Sequence, residues 1–241
     1  MGMNPGGWRT RVAKALGPAA LRAFSKVDPF ARVSYAQEGE DQILLRALHD
    51  VSRGFYVDVG AHHPMRFSNT YLFYLRGWRG LNIEPDPSVQ REMNRARPRD
   101  INLPFGVSDM PGELNYFRFN EPALNTFDVA LAKQRQRPPY FLQDTIKVPV
   151  FCLDELLSRY LPARTAIDFL TVDAEGFDYK VLVSNDWTRF RPRYVVAEAI
   201  DTSLETLPSD PIHGLLSGYG YELLSKALNS VIYLDRDRIR T

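Results

Sequence analysis

The sequence predicts a three-layer α/β fold built on a mostly parallel sheet that closes with an antiparallel hairpin. Three observations carry this expectation. Short apolar runs without alternation, chiefly residues 55–59 and 167–173, read as strands buried on both faces. They alternate with segments of helical periodicity, the pattern of βαβ units. Near the end, residues 221–224 and 230–234 flank Ala227-Leu228-Asn229 as two apolar strands around a turn.

The bulk numbers fit one large domain. The chain has 241 residues, 44% apolar and 24% charged, which suffices for a sizeable core. A net charge of +1 gives no reason to expect a nucleic-acid partner. Cys152 is the single cysteine, so an intrachain disulfide is excluded and a reducing, cytoplasmic compartment is expected. Its apolar surroundings, Val148 to Leu153, predict a packed thiol rather than a nucleophile. No apolar run is long enough to span a bilayer, and the N-terminus lacks a signal-peptide pattern.

Residues 1–33 read as a helical extension. Val12, Ala15, Leu16, Ala19, Ala20, Ala23 and Phe24 make a loose apolar face, bent at Pro18, with Arg11, Lys14, Arg22 and Lys26 off it. Such a segment suits a cap, a dimer arm or a peripheral membrane contact. The domain proper is expected over 34–241. A helix with Glu40 and Asp41 in its first turn precedes the opening strand, and Tyr35 and Gln37 just before it can reach that strand's ligand end. After Asn69 comes a helix closed by Gly77, then a strand over 80–84, a helix over 88–95 and a third strand from Ile101. Residues 113–119 alternate as an additional strand, and residues 120–144 are the least regular part. Further strands are expected over 145–150 and 194–198, with helices over 153–160 and 212–217.

The chemistry rests on acids at strand ends: Asp58, Glu84, Asp173 and Glu198. In open α/β sheets these ends line the ligand crevice. Glu84, closing the second strand, has the position of an acid that binds ribose hydroxyls, and Asp109 after the third can accept from an exocyclic amine. Asp58 and the Gly60 turn would lie beneath the amino-acid or sugar part of a cofactor. A dinucleotide site would need G-x-G-x-x-G, and the chain has one glycine followed by Ala61-His62-His63-Pro64. No phosphate-cradling G-x-x-x-x-G-K-[ST] occurs either. A nucleoside cofactor without phosphate, S-adenosylmethionine, fits what remains.

The stretches Ser34 to Asp41, Phe55 to Pro64, Ser68-Asn69-Thr70 and Gly77 to Pro85 resemble the FkbM family of S-adenosylmethionine-dependent methyltransferases. So do Val107-Ser108-Asp109, Leu153 to Leu157, Asp168 to Gly176, and Trp187 through Arg191-Pro192 to Glu198. The resemblance implies a Rossmann-like class I methyltransferase with a seven-stranded sheet, acting on a hydroxyl of a sugar, glycoconjugate or small natural product. It implies cofactor contacts from Tyr35, Gln37, Asp58, Gly60, Ala61, Asn69, Glu84, Pro85, Ser108, Asp109 and Asp173. Methyl transfer to oxygen needs alignment, proton removal and exclusion of water. Asp173, Glu175 and His63 are the candidate bases, His63 because its unperturbed pKa is about 6.5. A divalent ion held by Asp173, Glu175 and Glu198 is the alternative way to acidify the hydroxyl. An amine, protein or nucleic-acid acceptor, and a degenerate binding protein, are the competing functions.

Overall fold

The computed structural model describes residues 30–200 and 202–239. The helix expected over 11–24 lies outside them. The chain divides into a unit over Met1–Ser34 and a compact unit over Tyr35–Thr241; the second holds every element below.

In chain order the elements are α1 (Glu40–Ala47), β1 (Phe55–Val59), α2 (Tyr71–Leu75), β2 (Arg79–Ile83), α3 (Pro87–Ala96), β3 (Ile101–Leu103), β4 (Gly106–Val107) and β5 (Gly112–Phe119). There follow α4 (Val129–Arg135), β6 (Leu142–Phe151), α5 (Leu153–Tyr160), β7 (Phe169–Val172), α6 (Asp178–Val183), β8 (Tyr194–Glu198), α7 (Pro211–Gly218), β9 (Tyr221–Lys226), β10 (Ser230–Asp235) and α8 (Arg236–Ile239).

The main sheet has seven strands in the order β3-β2-β1-β7-β8-β10-β9. The first five run parallel, while β10 is antiparallel to β8 and β9. This is the Rossmann-like sandwich with a C-terminal hairpin. All five residues of β1 are buried, as a central strand covered on both faces requires. Its alternation divides the core. Phe55, Val57 and Val59 join Leu81, Leu153, Leu156, Val181 and Leu216 on one face. Tyr56 joins Leu44, Phe73, Trp78 and Phe169 on the other. Trp78 and Trp187 are both core residues.

Two differences from the sequence expectation matter for the site. The strands around 106–151 leave the main sheet and make a three-stranded one, β4-β6-β5, in which β6 runs antiparallel to β5. Its aromatic core is Tyr116, Phe127 and Phe177. The irregular stretch also contains α4, capped by Asp128, whose carboxylate accepts from the amides of Ala130 and Leu131.

Strand order reverses between β1 and β7: the chain winds from β1 outward to β3, then returns to the other side of β1. A crevice forms at such a switch point because consecutive connections diverge to opposite sides.

Candidate active site

The crevice is a cleft, partly open to solvent, lined from the ends of β1, β2, β4 and β7 and roofed by the small sheet. Gln37, Asp58, Gly60, Ala61, Asn69, Glu84, Pro85, Asp173 and Glu175 all line it. Tyr35 does not; its ring packs edge-on against Tyr71, centroids 4.7 Å apart. Ser108 and Asp109 also lie outside the lining, although the preceding Val107 belongs to it. Ser108 is buried and donates to Asp109, which is exposed.

Gly60 shows why this loop begins with glycine. Its φ is +80°, and a Cβ there would lie 1.7 Å from the carbonyl oxygen of Asp173. The neighbouring strand's backbone occupies the space a side chain would need. Asp173 in turn donates its amide to Val59, so the two strand ends are locked together.

Non-glycine residues with left-handed backbone gather here. His62 (φ 49°), Phe67 (φ 57°) and Glu175 (φ 50°) all line the cleft; Arg164 is the fourth such residue among those described. Strained backbone of this kind persists where the surroundings impose it, and it concentrates at functional sites.

The acids differ in how they are held. Glu84 accepts from the amides of His62 (2.9 Å) and Asp86 (3.0 Å). Burial nevertheless lifts its pKa to about 7, against the pull of those two donors. Asp58 accepts from the Thr70 hydroxyl at 2.7 Å, and burial raises its pKa although Arg97 opposes the rise. Glu175 is ion-paired with Arg135, which moderates the rise that burial causes. The Asp173 side chain has no hydrogen-bond partner among the described residues. It is open to the cleft yet surrounded by protein on its other sides. That enclosure, with Glu198 and Glu175 adding like charge, raises its pKa well above the usual carboxylate range. Glu198 is raised as well, by burial and then by Asp178 and Glu175.

Carboxylate oxygens of Asp173, Glu175 and Glu198 come within 4.8 Å of one another. These are the oxygen donors a hard divalent cation takes, so the three residues could hold one.

The histidines separate. His63 turns from the cleft: its Nδ1 accepts from the amides of Met65 (3.0 Å) and Arg66 (2.9 Å) and closes the loop. His62 lines the cleft, its ring lying 6.3 Å from that of Phe67 at 20°. Its Nε2 is buried without a hydrogen-bond partner. Sequence reasoning did not place His62, Phe67, Thr171 or Arg135 at the site. For His62 a signal existed, since histidine is among the residues that tolerate the left-handed conformation after a glycine turn.

The cleft suits a nucleoside with a polar tail. Glu84 supplies an acceptor for vicinal hydroxyls, and Phe105, Val107 and Tyr116 supply apolar surface for a base.

A family model described as the methyltransferase FkbM domain matches residues 58–223. No curated protein matches the chain. Among solved structures it is similar to a TehB-like S-adenosylmethionine-dependent methyltransferase from Corynebacterium glutamicum, with 12% identity, 92% of this chain and 99% of that one covered, and a TM-score of 0.40. It is similar to an O-methyltransferase from Bacillus cereus in complex with S-adenosylhomocysteine, with 10% identity, coverage of 93% and 96%, and a TM-score of 0.40. The corresponding figures for fibrillarin from Aeropyrum pernix with bound S-adenosylmethionine are 12% identity, coverage of 76% and 66%, and a TM-score of 0.43.

Proposed function

The chain belongs to the FkbM methyltransferase family and is an S-adenosylmethionine-dependent enzyme; from that premise we propose that its acceptor is a hydroxyl of a sugar, glycoconjugate or small natural product. The observation that carries this reading is the Asp173 carboxylate, open to the cleft and free of hydrogen-bond partners beside the strand-end turn at Gly60. A hydroxyl must lose its proton as it is methylated, and a carboxylate with a raised pKa is matched to that task.

The bound cofactor supplies an electrophilic methyl group. Glu84, Asp58 and the Gly60-Ala61 backbone form the floor that would hold it. Asp173 would take the acceptor's proton. Arg135 holds Glu175 beside Asp173, so a negative charge there disfavours ionisation of Asp173 and keeps it a stronger base. Tyr116 of the small sheet and Phe127, packed against it, roof the cleft and limit water. If Asp173, Glu175 and Glu198 instead hold a divalent ion, turnover should vanish on chelation. Turnover that survives chelation removes the metal from the proton's route and leaves it to the carboxylates, with Asp173→Asn against Glu175→Gln deciding between them.

An amine acceptor is the second reading, because Asp173 and Glu175 line the cleft, Glu198 stands beside them, and Arg135, paired with Glu175, is the single cation ion-paired with them among the described residues. No lysine or arginine lines the cleft, which disfavours a polyphosphate such as nucleic acid. No helix among the described residues is long and apolar enough to cross a membrane. The single thiol suits a cytoplasmic setting. The test is S-adenosylhomocysteine release with matched hydroxyl and amine acceptors. Turnover confined to amines would overturn the hydroxyl assignment, and failure of S-adenosylhomocysteine to bind would overturn the cofactor site.

A further inference from the structure

We propose that a groove at the end of the sheet opposite the cleft binds a phosphate monoester, held by the guanidinium groups of Arg164 and Arg189. The proposal stands apart from the methyltransferase reading, since the two cavities share no lining residue. Ile167 and Arg189 to Arg191 line the groove just before β7 and β8, whereas Asp173 and Glu198 lie at the far ends of those strands. Extended chain from Ile167 to Asp173 spans roughly 20 Å, so this ligand is separate from cofactor and acceptor.

Charge is the first observation. Arg164, Arg189 and Arg191 line the groove, and no carboxylate does. The neighbouring acids are occupied. Asp235 takes Arg191 at 3.0 Å, Glu155 takes Arg159, and Asp168 takes the Phe55 amide. Asp186 accepts from the Thr188 hydroxyl and from the amides of Thr188 and Arg189. Arg164 is exposed and has no hydrogen bond or ion pair among the described residues, so its charge is unspent.

The second observation is that Arg189, though exposed, is held in place. Its Nη1 donates to the Ser158 hydroxyl at 2.8 Å, and that hydroxyl donates to the Asp154 carbonyl at 2.7 Å. The guanidinium carbon lies 4.6 Å from the centre of the Phe190 ring. A side chain fixed in this way loses little freedom on taking a ligand, and its Nε and Nη2 remain as a fork that matches phosphate oxygens. Thr165 adds a hydroxyl without a partner among the described residues, and Leu161 and Pro162 give apolar wall for the ester's organic part.

Backbone strain is the third. Of the four left-handed non-glycine residues described, three line the cleft and Arg164, at φ 60°, lines this groove. Glycine would occupy the position without strain. Arginine there gains no contact within the described chain that offsets the cost, and such outliers concentrate at functional sites.

Calorimetry on the full chain tests this with phenyl phosphate as the probe and phenol as the uncharged control. Phenyl phosphate should bind, less tightly as salt is raised, and phenol should not. Arg164→Gly should weaken phenyl phosphate by about tenfold or more, the value of contacts to a charged group. Its melting temperature should hold or rise, because glycine relieves the left-handed strain. Arg189→Gln should weaken the probe by a similar factor, and saturating S-adenosylhomocysteine should leave its affinity unchanged. Phosphatidylcholine vesicles bearing phosphatidic acid separate the sources: cosedimentation lost in Arg164→Gly assigns the phosphate to a lipid headgroup, and probe binding without cosedimentation assigns it to a soluble ligand. No binding of phenyl phosphate, equal binding of phenol, or unchanged affinity in both variants overturns the proposal. Displacement by S-adenosylhomocysteine would put the phosphate in the cleft and overturn it as well. A lower melting temperature with unchanged affinity in Arg164→Gly would assign that charge to the carbonyl end of α5 instead, and the proposal would fall.

Discussion

Two groups of acids flank β1, and they are built in opposite ways. Asp58 and Asp100 lie with Arg97, which is fully buried. Arg97 donates to Asp100 (2.8 Å), the Tyr56 hydroxyl (2.8 Å) and the Thr70 hydroxyl (2.9 Å), and Thr70 donates to Asp58. Asp100 also accepts from Tyr56, Asn82 and the Gly80 amide. On the other side of β1, Asp173, Glu175 and Glu198 share Arg135, which is paired with Glu175. A satisfied buried network fixes structure, whereas carboxylates left without cations store repulsion that a ligand or proton can relieve. The sheet therefore carries a structural acid cluster and a reactive one, on neighbouring strands.

Removing the cation from the satisfied cluster should have the largest effect. Arg97→Met leaves two buried carboxylates without their partner and should cost about 3–5 kcal/mol in urea unfolding. Asp173→Asn should do the reverse: turnover should fall by at least about a hundredfold, as for loss of a proton acceptor, with a melting temperature unchanged or raised. Equal destabilisation by the two substitutions would erase the contrast. Gly60→Ala forces a Cβ onto the Asp173 carbonyl and should cost about 1–3 kcal/mol, with S-adenosylhomocysteine affinity falling as well. The mildest effect concerns pH. A carboxyl whose folded pKa is raised favours the folded state while protonated. The contribution of Glu84 is thus full below its ordinary 4.5 and lost as pH rises through about 7. Thermal unfolding across that window should show declining stability, and Glu84→Gln should flatten the slope.

Much of the frame was legible because its signals are local. Continuous apolar runs identified β1, β7 and β8, and the acids at their ends pointed to one rim of the sheet. The small sheet was not legible as a separate body, since alternation in residues 113–119 says that a strand is half-buried but not which sheet it joins. Arg97 was equally hidden: an arginine near a helix end reads as surface, and its burial depends on Tyr56 and Thr70 from two distant segments as well as on Asp100 in its own turn. The division between His62 and His63 needed the backbone, because adjacent identical residues differ only in which way the turn aims them.

The contact between Gly60 and the Asp173 carbonyl has a consequence for how this chain can vary. Because one strand end has no side chain so that the other's backbone can fill its place, neither can be altered independently. Substitutions at position 60 and in the turn after Val172 should show strong epistasis, with each tolerated only on a background that has already moved the other.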